Sequence, residues 1–169
     1  MTTLPRGTAA LGHRVVRRRR AVAAVGAVSA GLLLLSACDE PTPISTITVG
    51  SDSVSSQASC GGKGKTLSAD EITECLKDKD AKSIKVDQDE TVRFGVDPEI
   101  ADQHWTILMN GQQLVEDSDK TYRTVPGSVF FNEQYGAQGD STNVAVAARD
   151  GKDESQNITG VWVFELKKD

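Results

Sequence analysis

What most constrains this chain is the recurrence, from residue 83 onward, of short segments in which apolar and polar residues alternate, each closed by a turn signal. Ser83-Ile84-Lys85-Val86-Asp87 and Thr91-Val92-Arg93-Phe94-Gly95-Val96 alternate with period two, the pattern of a strand with one wet face. Trp105-Thr106-Ile107-Leu108-Met109 leads into Asn110-Gly111 and then Gln112-Gln113-Leu114-Val115, and Asn-Gly is the strongest short hairpin signal available. Thr121-Tyr122-Arg123-Thr124-Val125, the turn pair Pro126-Gly127 and Ser128-Val129-Phe130-Phe131 predict a second hairpin. The last two strands are expected over Thr142–Ala148 and Gly160–Leu166. Val161 to Phe164 is apolar on both faces, which suits a central strand between packed layers. The expected fold is therefore mainly β, an antiparallel β-sandwich (immunoglobulin-like) with one short helix, over residues 44–169.

The first 37 residues have a different chemistry. They hold Arg6, Arg14, Arg17, Arg18, Arg19 and Arg20 and no acid, and the uncharged stretch from Ala21 to Leu35 ends in four leucines. A basic start followed by an apolar run of this length predicts a signal peptide over 1–37. A spanning helix needs about 20 apolar residues, and here Asp39, Glu40 and Pro41 interrupt first; a retained anchor helix is the weaker alternative. Leu35-Ser36-Ala37-Cys38 matches a lipobox, with small residues that let an extended chain enter a peptidase and a thiol that accepts a diacylglycerol group as a thioether. Cys38 is thus the expected lipid attachment site and first mature residue. Arg18-Arg19-Arg20 also suits a twin-arginine export signal superficially, but a generic basic segment accounts for it.

Charge bears on what such an anchor must do. Six of the nineteen Lys and Arg precede Cys38, so thirteen face all 24 Asp and Glu afterwards, a net charge of −11. A domain this acidic is repelled by anionic lipid and by nucleic acid, so acyl chains and not electrostatics would hold it at a membrane. Residues 38–43 form the expected tether, stiffened by Pro41 and Pro43. The Ser51–Ser59 stretch, of low complexity, would lengthen it if disordered.

With Cys38 set aside, Cys60 and Cys75 are the thiols that remain, and outside the cell they are expected to form a disulfide. Closing a loop of this size stabilises a fold by about 3 kcal/mol in the chain-entropy treatment. A redox role would call for a Cys-x-x-Cys spacing, which is absent. Cys75 falls on the one convincing helix: Ser68 is an N-cap with Glu71 three residues on, Leu67 and Ile72 occupy staple positions, and Ile72, Cys75 and Leu76 share a face. The helix is expected to run to about Lys77.

The search for catalytic or metal-binding groups returns little. His104 is the one histidine after the amino-terminal segment, and with Met109 it falls short of a copper site, which needs a second His and usually a thiolate; a strand-edge position is expected for it. Nucleophilic catalysis has His104 as its single candidate base and no Gly-x-Ser-x-Gly elbow. Asp87 with Asp89 and Asp117 with Asp119 are paired carboxylates in turn-like stretches, expected to be solvated turn acids. Gly61-Gly62-Lys63-Gly64-Lys65 lacks phosphate-loop spacing and reads as a flexible link, and Asn157-Ile158-Thr159 as a loop. No cofactor and no metal are expected. Phe130 and Phe131, as neighbours on a strand, would point to opposite faces, leaving one for a partner.

Thr91–Pro98, Trp105–Gly111 and Pro126–Phe131 resemble an actinobacterial lipoprotein family catalogued only as a domain of unknown function. The resemblance runs from about Ile44 to the end and implies export and lipidation, with no catalytic residue to carry over. The expectation is a lipid-anchored protein on the extracytoplasmic face of the cell membrane, a binding or adaptor module for an envelope protein or small ligand and not an enzyme. The alternative is a carboxylate-dependent envelope enzyme or enzyme subunit, which would need a cleft holding two acids.

Overall fold

The computed structural model describes residues 41–151 and 157–169. Cys38 and the whole predicted signal segment lie outside the described residues.

Among the described residues ten strands form two sheets. The first, in the order β2-β1-β5-β8, joins β2 (Asp52–Ser56), β1 (Ser45–Val49), β5 (Thr91–Val96) and β8 (Tyr122–Pro126), all antiparallel. The second runs β3-β10-β9-β6-β7: β3 (Cys60–Gly61), β10 (Ile158–Lys168), β9 (Ser141–Arg149), β6 (Trp105–Met109) and β7 (Gln112–Gln113). β4 (Lys82–Val86) joins the same edge of β10 as β3, but parallel and against its second half, Phe164 to Lys168. The expected mainly β, antiparallel sandwich is the architecture observed, with this one parallel pair as an exception.

The alternation read from the sequence translates directly into layers. In β5, Val92, Phe94 and Val96 point into the space between the sheets and are buried, while Thr91 and Arg93 are exposed. Ile47 and Val49 of β1 and Val125 of β8 do the same. From the second sheet come Trp105, Ile107, Val144, Val146, Trp162, Phe164 and Leu166, completing the main core. The other face of that sheet is dry too: Leu108, Ala145, Ala147, Val161 and Val163 form a second cluster with Cys75. This is why Val161 to Phe164 is apolar without alternation, since β10 is covered on both sides.

Turn chemistry explains the hairpins. Asn110 and Gly111 have φ of 49° and 81°, the paired positive values of a type I′ turn, and Leu108–Met109 pairs with Gln112–Gln113 across it. Gly50, at φ 55°, closes β1 onto β2. The Ser51–Ser59 stretch is therefore largely an edge strand and its lead-out, not an extension of the tether.

Several expectations are corrected. Ser128–Phe131 is not a strand: residues Gly127–Phe130 make a helical turn. The Gly127 N–H donates to the Glu90 carbonyl at 2.7 Å, and the glycine lies so close to the Asp87 and Glu90 carbonyls that a side chain there has no room. The chain must turn at this contact, and the turn drops the Phe130 ring into the core, 5.8 Å from Phe94. Helical spacing replaces alternation, so Phe131 is not thrown to the opposite face; it is partly buried against the same core. The described residues also hold three short helices instead of one: α1 (Ala69–Cys75), α2 (Pro98–Asp102) and α3 (Gly127–Phe130). Helix α2 begins with Pro98 at its first turn, where the missing N–H is harmless. Residues 62–65 lie between β3, which ends at Gly61, and α1, and Ile158 and Thr159 belong to β10, not to a loop.

Candidate ligand groove beside helix α1

The site is built on a helix too short to stand alone. Seven residues give α1 little intrinsic stability, and three local devices hold it. Ser68 caps it: the Ser68 hydroxyl accepts from the Glu71 N–H at 3.3 Å, and the Glu71 carboxylate accepts from the Ser68 N–H at 2.7 Å. This backbone hydrogen bond, then the Ser68 hydroxyl, holds the Glu71 carboxyl below its usual pKa. Cys75 is bonded to Cys60 as expected, with 5.9 Å between Cα atoms, which ties the helix to β3. Leu67 and Leu76, partly buried, pack on the outer cluster of the second sheet. The helix ends at Cys75 with Leu76 as its cap, slightly before the expected Lys77.

Between this helix and the sheet runs a groove of about 600 Å³. Ile72 and Leu76 form its helical wall; Leu108, Val144, Ala145 and Val163 form its floor. Asn110, Gly111 and Asn143 close the end nearest the β6–β7 turn, and Thr73 and Lys77 stand at the helical rim. Lys77 is engaged by Glu74 at 2.8 Å on the exposed helix surface. The lining is chiefly aliphatic with amide and hydroxyl groups at the margins, the composition of a site that takes an apolar group and orients it with a few polar contacts. It contains no carboxylate and no histidine.

The other sequence candidates are scattered. His104 is exposed, at φ 60°, and follows α2 directly before β6, while Met109 is buried at the far end of β6. Asp87 accepts from the Asp89 N–H at 3.0 Å within a turn, and both are exposed. Asp117 is drawn to Arg149, and Asp119 lies 3.7 Å from Lys120. Among the described residues no three His, Cys, Asp or Glu side chains cluster as metal ligands, and no helix is long and apolar enough to cross a membrane. The groove itself was not anticipated: Ile72, Cys75 and Leu76 read as a docking stripe, but nothing in the sequence says that the helix would sit off the sheet and leave space beneath its Ile72 side.

Comparison with protein-family models, with curated proteins and with solved structures finds no match to this chain.

Proposed function

We propose that this protein is a lipoprotein of the cell envelope, anchored through acyl chains on Cys38 at the extracytoplasmic face of the membrane, whose sandwich serves as a binding or adaptor module. The observation that carries the binding role is the aliphatic groove beside α1, which lacks the acids a carboxylate-dependent hydrolase would need. Its occupant in this reading is an apolar side chain or short apolar segment of an envelope protein. The resemblance to an actinobacterial lipoprotein family and the lipobox Leu35-Ser36-Ala37-Cys38 support the anchor.

Fastening of the entering chain supports a close tether. The Thr42 hydroxyl accepts from the Ala58 N–H at 3.0 Å, and the Pro43 carbonyl accepts from the Trp162 indole at 2.8 Å. Four peptide links separate Cys38 from Thr42, at most about 14 Å of extended chain.

The test is crosslinking in intact cells with affinity capture and mass spectrometry, comparing wild type, Cys38→Ala and Ile72→Glu. A membrane-bound wild type carrying a diacylglyceryl mass, with one envelope protein crosslinked to groove residues and lost in Ile72→Glu, is the expected result. A freely secreted wild type without lipid would overturn the anchor. A lipidated protein whose crosslinks ignore Ile72→Glu would overturn the groove, and a small apolar molecule co-purifying in it would replace the protein partner.

A further inference from the structure

The tip of the β6–β7 hairpin combines reactivity with position. Asn110 and Gly111 are both exposed, and the Gly111 N–H has no hydrogen-bond partner among the described residues. The chain's other asparagines, Asn132, Asn143 and Asn157, precede Glu133, Val144 and Ile158, whose side chains crowd the backbone nitrogen that would have to react. Gly111 carries no side chain, and where one would begin the nearest atom is Leu76 Cδ1 at 3.5 Å. The strand that follows is two exposed residues, Gln112–Gln113, at the edge of its sheet, so the tip can open locally while the core stays closed. Asparagine is a thermolabile side chain, and an exposed Asn-Gly pair in a turn that opens is where its amide is lost most readily.

We propose that Asn110 is a deamidation site and that the acid formed there shuts the groove beside α1, a consequence that rests on the groove being the binding site. In the reaction the Gly111 nitrogen attacks the Asn110 side-chain carbonyl carbon. The new C–N bond closes a succinimide ring, the Cγ–Nδ2 bond breaks, and the proton from the Gly111 nitrogen leaves with the amide as ammonia. Water, the sole co-reactant, then opens the ring at either carbonyl and leaves a carboxylate on an aspartyl or isoaspartyl residue.

Two contacts carry this local change to the groove. Asn110 Nδ2 donates to the Gly136 carbonyl at 2.9 Å, which fastens the short turn Glu133–Tyr135 and its glycine cap to the hairpin. A carboxylate has no hydrogen to donate and sets its negative charge against that carbonyl oxygen, so the link is lost. Asn110 and Gly111 also line the groove beside Asn143, at the end of an aliphatic wall and floor that include Leu76, Leu108 and Val163. An apolar occupant would have to strip water from the new charge, which opposes its entry. The isoaspartyl product adds a carbon to the backbone of a two-residue turn whose φ values of 49° and 81° fit type I′ geometry, and so disturbs the pairing of Leu108–Met109 with Gln112–Gln113 at the same end.

The other asparagines make the test internal. Protein purified from membranes in detergent is held folded at mildly alkaline pH, peptide mass spectrometry follows the change from amide to acid at each asparagine, and isoaspartyl methyltransferase labelling counts the isomer. Conversion at Asn110 several-fold faster than at Asn132 or Asn143 is expected. As the product accumulates, hydrogen exchange should quicken at the Ala137 amide, which the Asn132 carbonyl holds in the segment that Asn110 fastens. In intact cells Asn110→Asp should lower crosslinking of a partner through groove residues several-fold, while Asn110→Gln, which keeps an amide and closes a ring far more slowly, retains it. Conversion at Asn110 only after denaturation, or at one rate for all the asparagines, overturns the site. Unchanged crosslinking in Asn110→Asp, or an equal fall in Asn110→Gln, overturns the shutting of the groove by charge. A wild type without groove crosslinks overturns the groove as binding site and the coupling with it, whereas the acid formed at Asn110 judges the modification on its own.

Discussion

The Nε of Arg149, on a side chain only 8 % exposed, lies 3.2 Å from the Asp117 carboxylate. The approach is electrostatic: the Nε–H is not aligned for a hydrogen bond, while Nη2 of the same group donates to the Gln113 amide oxygen at 2.9 Å. The pair fastens the segment after β7, which is also held by the Thr106 hydroxyl on the Val115 carbonyl at 2.5 Å and the Trp105 indole on the Lys120 carbonyl at 2.7 Å. The two partners are unequal, because Asp117 is 40 % exposed and can be hydrated when released. Asp117→Asn, which orphans the buried cation, is expected to destabilise the domain by about 1–3 kcal/mol. Arg149→Met should cost less, since the freed carboxylate reaches water. Urea unfolding of both variants checks the order, and the reverse order would show that packing of the Arg149 stem dominates.

Loss of the disulfide should act on α1 and its groove before the sandwich. Cys60→Ser with Cys75→Ser removes the link between helix and β3, and about 3 kcal/mol of stability is expected to go with it. Hydrogen exchange should accelerate at the amides of Ile72 and Leu76, which are held by the Ser68 and Ile72 carbonyls, while β9 and β10 remain protected. Uniform acceleration would mean that helix and sheet unfold as one unit.

At Gly127 the structure leaves no room for a methyl group. Its Cβ would meet the carbonyl of Asp87, that of Glu90 at 2.9 Å and the Val86 side chain at 3.1 Å. Backbone carbonyls cannot step aside as a side chain does, so Gly127→Ala is expected to cost about 2–3 kcal/mol by overpacking. Phe130→Ala, which empties the space against Phe94, should cost about 3–5 kcal/mol. Thermal unfolding of the two variants measures both, and a neutral Gly127→Ala would refute the close contact.

The capping box makes the stability of α1 depend on pH in a defined direction. Glu71 has a carboxyl pKa lowered in the folded state from its usual 4.5, chiefly by the hydrogen bond from the Ser68 backbone. A lowered folded value means that the unfolded chain takes up the proton first, so the contribution is present above 4.5 and is lost as pH falls through the folded value. Glu71→Gln should flatten this part of the profile at α1 amides. Ser68→Ala should cost about 1 kcal/mol at neutral pH through loss of the cap. Circular dichroism and exchange between pH 3 and 6, values chosen as roughly the carboxylate range, would follow both; an unchanged Glu71→Gln profile would assign the acid sensitivity elsewhere.

The limits of legibility follow from range. Alternation in Thr91–Val96, the Asn110-Gly111 turn and the Ser68–Glu71 cap are encoded by residues within a few positions of one another, and each takes the form that its local chemistry dictates. The Cys60–Cys75 bond was legible by elimination, once Cys38 was assigned to lipid. Ser128–Phe131 misled because its local pattern suits a strand, and the contact that turns it, Gly127 against Asp87 and Glu90, comes from residues 37 to 40 positions earlier.

Sequence by itself thus determined the class of fold, the positions of the β5, β6, β9 and β10 strands, the capped helix and its cysteine partner, because propensity, turn geometry and hydrophobic period act locally. Only the tertiary structure decided the rest: that β4 would add parallel to β10, that Arg149 would find Asp117, and that a groove would remain beneath Ile72. Those relationships join residues distant in sequence, and register and layer packing settle them when the two sheets close on a common core.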